Sequence, residues 1–199
     1  MKTRIGIILK KYMPKKNKIV VFDQIYGKII AVSYDEKLLT HCACGTVIQY
    51  VAYEMNQIFL CRQIELLSMP IQLNYEDIFF LHHLLELCYY FLPIGHAMEE
   101  LFSLLIFVLS FPHRITTRIH KKMIIWRILV QHGLYPELDI NSYKVFKNLM
   151  QITISTMLEK TISHTFENVL DEWVFESIHS HPSVQQFKTI SYVGKSCST

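Results

Sequence analysis

Two hydrophobic periods divide the chain close to residue 70. Up to Met69, short runs rich in β-branched and aromatic residues alternate with turn residues, which is typical of strands. Beyond Met69-Pro70, apolar residues recur at the 3.6-residue spacing of helices. The pattern therefore predicts a β domain over residues 1–70 and a helical domain over residues 71–199.

Five strands are expected in the first domain. Residues 13–17 predict a turn and Gly27 a tight connection, so the first three strands form a meander, whereas residues 35–45 predict a loop. Five strands in so short a segment match a small closed barrel, of which the OB-fold is the natural member. The predicted strands cover residues 4–11, 18–26, 28–34, 46–55 and 57–68.

The second domain is expected to be an all-helical bundle, which makes the fold class α+β. Asn74 is placed to cap the first helix, and Pro93 and Gly95 are placed to end it. Gly133 is expected to stop the third helix. The helices predicted after the first cover residues 98–111, 115–132, 143–150 and 155–179.

Positive charge is concentrated at the amino end. Residues 1–30 hold eight of the 20 Lys and Arg residues but only one acid, Asp23, so the rest of the chain is net acidic. Clustered Lys and Arg gain affinity for a polyanion by releasing its counterions, although such a face also serves solubility alone. The asymmetry favours a polyanion at the N-terminal domain.

Composition restricts the class of protein further. The hydrophobic content of 51% suffices for a packed core, and five scattered cysteines do not form a disulfide pattern. The apolar stretch 5–9 is too short for a secretory signal. The most hydrophobic segment, 101–111, is shorter than the roughly 20 residues that span a bilayer. We therefore expect a cytoplasmic protein without a membrane anchor.

Motifs of catalysis are absent from the sequence. It has no phosphate-binding glycine loop, no Gly-x-Ser-x-Gly turn and no carboxylate pair in a polar loop, so we expect neither an enzyme nor a cofactor. His41, Cys42 and Cys44 hint at a metal, but a second ligand pair at zinc spacing is missing, and we predict no metal site. A zinc-dependent protein built around Cys42 and Cys44 is kept as a weaker hypothesis.

Several segments occur in an order that is shared with one protein family. In the barrel these are Lys10-Lys11-Tyr12, the run 18–22 and the run 26–32. In the helical part they are Leu81 to Leu87, Phe91-Leu92-Pro93, Glu100 to Leu105, Trp126 to Leu129 and Gly133 to Pro136. Together they resemble the barrel and the helical domain of the DNA repair protein RecO family. Each motif is mostly hydrophobic patterning, so their order carries the resemblance, which covers roughly residues 4–136.

The resemblance implies a recombination mediator. Such a protein binds single- and double-stranded DNA, anneals strands and helps to load recombinase, with RecR and the acidic C-terminal tail of single-stranded DNA-binding protein as partners at the bacterial nucleoid. Two departures count against full function: the family's four-cysteine zinc module is missing after Pro136, and Asp35 and Glu36 stand in a loop that is usually basic. A degenerate adaptor with little DNA affinity is therefore the alternative.

Two sets of residues are candidate sites. On the barrel, lysines at a turn suit a phosphate backbone and exposed aromatics suit unpaired bases, although some aromatics simply fill a barrel. On the third helix, Arg114, Arg118 and Lys122 are spaced to share one face, and such a basic stripe suits DNA or an acidic peptide. An equal alternative is that these cations form ion pairs with the acidic last helix around Glu167 and Asp171. The barrel set is Arg4, Lys10, Lys11, Tyr12, Lys15, Lys16, Lys18, Tyr26 and Lys28, and the stripe is Arg114, Arg118, Lys121, Lys122 and Arg127.

Overall fold

The computed structural model divides the chain into two compact units, Met1–Ser110 and Phe111–Thr199. It describes residues 3–12, 17–33, 36–55, 58–70 and 73–189, with the side chains of residues 36–38 excepted. Within the described residues, no helix is both long enough and apolar enough to cross a membrane.

The first unit begins with a closed five-stranded barrel. Its neighbours run in the order β1-β2-β3-β5-β4, and β4 closes onto β1. All pairs are antiparallel except β3 with β5, which is the topology of an OB-fold. The five predicted strands are confirmed, with bounds β1 Thr3–Lys11, β2 Lys18–Asp23, β3 Gly27–Ser33, β4 Val47–Met55 and β5 Ile58–Ser68.

A short helix, α1 (Glu36–His41), connects β3 to β4, where the sequence predicted a loop. Six residues are too few to show a hydrophobic period, which explains the miss. Inside the barrel, side chains from all five strands form one buried cluster that includes Ile8, Val21, Ile29 and Tyr50.

A buried carboxylate organises the connection between β2 and β3. Asp23 accepts hydrogen bonds from the backbone amides of Ile25 and Tyr26, each at 2.8 Å, and from the hydroxyl of Tyr50. Burial and the nearby carboxylate raise the pKa of Tyr50 far above its usual range, so its hydroxyl stays a donor. Gly27 follows with a φ of 68°, and a Cβ there would collide with the carbonyl of His96.

Two helices complete the first unit, α2 (Tyr75–Phe91) and α3 (Glu99–Ser110). The predicted cap is confirmed, since the Asn74 side chain accepts a hydrogen bond from the Asp77 amide at 2.8 Å. The outer face of β2 packs on α3 through Phe22 and Phe102, whose ring centroids are 5.4 Å apart. Because these helices belong to the same compact unit as the barrel, the units divide at Ser110 rather than at residue 70, where the sequence pattern changes.

The second unit is helical, with α4 (Arg118–Gln131), α5 (Ile140–Gln151), α6 (Ile154–Leu158) and α7 (His164–His179). Gly133 follows α4 with a φ of 78°, as the sequence predicted for a helix end. The single helix predicted over residues 155–179 is wrong, because α6 ends at Leu158 and Ser163 caps a new helix. Trp126, Phe146 and Trp173 are buried in this unit's core.

A buried histidine on α2 makes stability depend on pH. His83 is fully buried, whereas the adjacent His82 is exposed. Burial lowers the pKa of His83 to about 3, against about 6.5 in an unfolded chain. The unfolded chain therefore takes up a proton at a pH where the folded chain does not, and the contribution of neutral His83 to stability is lost as the pH falls below about 6.5.

We predict that His83→Gln reduces the loss of stability in mild acid. Between pH 7 and pH 4.5 the unmodified chain should lose about 2–3 kcal/mol more of its free energy of unfolding than the variant, because Gln does not titrate. Urea unfolding followed by circular dichroism at both pH values measures this difference. His82→Gln is the matched control and should behave like the unmodified chain; equal pH dependence in all three proteins would contradict the prediction.

Candidate functional site

Three lysines and two tyrosines come together at one end of the first unit. Lys10 and Tyr12 lie at the end of β1, Lys18 begins β2, Lys28 lies near the start of β3, and Tyr89 comes from the last turn of α2. We call these five residues the lysine–tyrosine cluster. Four of them were predicted from the sequence as DNA-binding residues, and the structure brings those four together.

An irregularity in β1 places Lys10 in the cluster. Ile8 faces the barrel interior, so strict alternation would send Lys10 inward as well. The pairing with β2 shifts between Ile8 and Lys10, and Lys10 then lies opposite Val20, whose side chain is outside the interior cluster. Lys18 is two residues from Val20 on the same face of β2, so the bulge puts both lysines on the outer side of the barrel.

The cluster is held by short polar contacts and by ring faces. The hydroxyls of Tyr12 and Tyr89 are 3.1 Å apart, and the backbone amide of Tyr12 donates to the carbonyl of Lys18 at 3.1 Å. The ammonium nitrogen of Lys10 is 4.4 Å from the Tyr89 ring centroid and 5.4 Å from that of Tyr12. The Lys18 ammonium is 5.3 Å from the Tyr12 ring centroid, and the Lys28 ammonium is 5.5 Å from the Tyr89 ring centroid. All four distances are within the range of cation–π attraction.

The cluster carries positive charge that no ion pair among the described residues neutralises. Within the described part of the chain, none of its three lysines forms an ion pair with a carboxylate. Lys28 is half-buried and donates to the Tyr89 carbonyl at 2.7 Å, near the C-terminal end of α2, and its burial lowers its pKa. The hydrogen bond to Tyr89 and partial burial raise the pKa of Tyr12, so the Tyr12 hydroxyl stays protonated at neutral pH.

Other residues of the predicted barrel set have different surroundings. The ammonium of Lys11 donates to the carbonyls of Leu39, at 2.5 Å, and Cys42, and so holds the end of α1. The guanidinium of Arg4 lies over the ring of Tyr26, 4.2 Å from its centroid, and both side chains are partly buried. Lys15, Lys16 and Asp35 lie outside the described residues, as does the side chain of Glu36.

The predicted stripe in the second unit is largely used for internal contacts. Lys122 is buried and forms ion pairs with Glu167 and with Asp171, the latter at 2.5 Å, which is the structural alternative that the sequence left open. Burial raises the pKa of Asp171 even though Lys122 opposes this effect. Arg127 donates to the carbonyl of Ile152 at 2.6 Å.

The expectation that three cations share one helix face is wrong. Arg114 belongs to a short 3₁₀ turn, Pro112–Arg114, and α4 begins only at Arg118, capped by Thr117. Lys121 and Lys122 are both buried, whereas Arg114 and Arg118 are exposed. The second unit therefore lacks the continuous cationic face that the spacing suggested in this segment.

A largely apolar groove of about 980 Å³ lies between α5 and α7. Val145, Leu149 and Val169 contribute to its walls. Its charged lining residues are Lys160, Glu137 and Asp139. One cation against two carboxylates does not favour an acidic peptide, so the groove offers no charge complement to the tail that the family resemblance implies.

The four described cysteines give no sign of reactive or metal-bound sulfur. In the described ranges, no three His, Cys, Asp or Glu side chains come close enough to hold a metal ion together. Cys42 is buried, Cys44 is half-buried and His41 is exposed. Burial raises the pKa of Cys61 to about 12, so this thiol is protonated at neutral pH.

Sequence reasoning missed Tyr89. It stands 61 residues after Lys28 in a helix whose pattern is that of a packed core, and only the fold brings its ring to the lysines. The adjacent pair Tyr89-Tyr90 at the end of this helix was the only available signal.

No family model matches the chain, and no curated protein matches it.

We predict that Lys122 is a structural residue. Lys122→Ala should lower the free energy of unfolding by about 3 kcal/mol, because it removes the cation that pairs with buried Asp171 and partly buried Glu167. Lys147→Ala, an exposed lysine on α5, is the control and should change stability by less than about 0.5 kcal/mol. Thermal and urea unfolding compare the two variants, and equal stability would show that the buried ion pairs contribute nothing.

Proposed function

We propose that this protein is a RecO-like recombination mediator in DNA repair. It binds single- and double-stranded DNA without sequence specificity, promotes annealing of complementary strands and assists recombinase loading together with RecR in the bacterial cytoplasm. Single-stranded DNA-binding protein is its further partner. The proposal begins from the ordered sequence resemblance and gains its physical support from the barrel.

The lysine–tyrosine cluster is the observation that carries the proposal. OB-folds commonly bind nucleic acids and oligosaccharides on their outer strands and loops. Here three ammonium groups gather around two rings on such a barrel, with no described carboxylate paired to them. Like charges held this close repel each other, and a bound polyanion relieves the repulsion while releasing its own counterions.

The chemistry of the cluster suits annealing. Lysine ammonium groups are flexible point charges that bind phosphate without reading bases, so they leave base edges available for pairing. Neutralising the phosphates of two strands lowers the repulsion between them, and weak, mobile contacts let the strands search for their register. The proposed mechanism is electrostatic and requires no nucleotide hydrolysis by this chain.

We predict that Lys10→Ala/Lys18→Ala/Lys28→Ala weakens binding to DNA of any sequence. Three fewer phosphate contacts should reduce the dependence of log affinity on log salt concentration by about 2 for single-stranded DNA. Fluorescence anisotropy of a labelled oligonucleotide across a salt series measures both quantities. Because Lys28 also contacts the end of α2, the double variant Lys10→Ala/Lys18→Ala is measured in parallel, with an expected decrease of about 1.4.

The matched control changes the same number of charges elsewhere. Lys144, Lys147 and Lys160 are exposed in the second unit, and their replacement by Ala should leave affinity and salt dependence close to those of the unmodified chain. An unchanged salt slope in the cluster variants would exclude the cluster as the DNA site. If the unmodified chain has negligible affinity at low salt, the adaptor alternative replaces the mediator.

A further inference from the structure

We propose that the lysine–tyrosine cluster binds the phosphodiester backbone alone, and that Tyr12 and Tyr89 position its lysines instead of stacking on bases. This inference rests on the proposed function and specifies which part of the nucleic acid the site recognises. It also revises the role expected for Tyr12, which the sequence suggested as a base-stacking residue.

The first argument is that cations already lie against the tyrosine rings. Lys10 is within 5.4 Å of both ring centroids, at 4.4 Å from that of Tyr89. Lys18 approaches Tyr12 and Lys28 approaches Tyr89 at similar distances. A base that stacked on a ring face covered by an ammonium group would have to displace that group, and would thereby remove a charge that attracts the nucleic acid.

The second argument is that the edges of the rings are also occupied. The two hydroxyls contact each other at 3.1 Å, and the Tyr89 hydroxyl is 3.4 Å from the Lys10 ammonium. The Tyr90 ring packs edge-on against Tyr89, with centroids 4.8 Å apart. Both tyrosines of the hydroxyl pair are partly buried, so the protein itself covers part of each side chain.

These contacts explain how the tyrosines act on the lysines. The hydroxyl pair joins the end of β1 to the last turn of α2, two elements that meet only through the fold. The ring faces then hold the long lysine side chains near one another, which reduces the conformational freedom that each would lose on binding. A preorganised group of ammonium ions matches phosphate oxygens whatever bases they carry.

The decisive experiment compares a labelled oligothymidylate with an oligonucleotide of equal length made entirely of abasic tetrahydrofuran sites. Anisotropy titrations of the full chain should give dissociation constants within about threefold of each other and equal salt slopes, since both ligands carry the same phosphates. Affinity for the abasic strand that is tenfold weaker or more would overturn the inference, because stacking on bases would then contribute. If neither strand binds, the proposed function fails as well, and that outcome is distinct from a preference for bases.

Tyrosine variants test the positioning role separately. Tyr12→Phe keeps the ring but breaks the hydroxyl pair, and Tyr12→Leu also removes the ring. Each should weaken binding of both oligonucleotides by the same factor, with a larger loss for Leu, because the lysines lose their support. A loss confined to the base-bearing strand in Tyr12→Leu would show that the ring stacks on bases and would contradict the proposal. Tyr53 is an exposed residue of β4, and Tyr53→Leu is the control that should leave both affinities unchanged.

Discussion

The double pairing of β1 determines the arrangement of the first unit. This strand pairs with β2 on one side and with β4 on the other, and so closes the barrel. Its amino-terminal half follows strict alternation, and then a bulge between Ile8 and Lys10 changes which side chains face outward. Lys10 consequently belongs to the lysine–tyrosine cluster, while Lys11 donates to a carbonyl of α1. Adjacent residues of a strand point to opposite faces, and the inserted residue decides that Lys10 rather than Lys11 faces outward.

The barrel and the helices depend on each other at the same point. Buried Asp23 organises the turn after β2. Gly27 then brings the start of β3 against the connection between α2 and α3. In that connection the Gly95 amide donates to the Lys28 carbonyl at 3.0 Å. Lys28 in turn donates to a carbonyl in the last turn of α2. These contacts fix Tyr89 beside the strands. The candidate site is therefore a product of barrel and helix together, and a barrel cut off at residue 70 would lack one of its two rings.

Local sequence signals predicted the elements well and the contacts poorly. The strands, the Asn74 cap and the Gly133 helix end were visible because turn residues and caps act within a few positions. The β1 bulge was not visible, since it depends on packing that the local pattern does not record, and α1 was too short to show a hydrophobic period. The break before Ser163 was missed although Ser163 caps α7 by accepting from the Phe166 amide, which is a local signal. The same limit applies to the site: four members of the cluster could be predicted from charge and order, whereas Tyr89 could not.

The two basic segments show why a count of cations does not identify a binding surface. Lys122 and Lys10 look alike in sequence, each within a run of positive residues. Lys122 is buried between carboxylates 45 and 49 residues away, so its charge is neutralised inside the protein. Lys10 and Lys18 share one tyrosine ring and meet no described carboxylate. A cation that is already paired inside the protein attracts an external anion only weakly. A group of cations without such partners is stabilised most when an anion binds. By this criterion the barrel, rather than α4, is the better place for the polyanion that we propose.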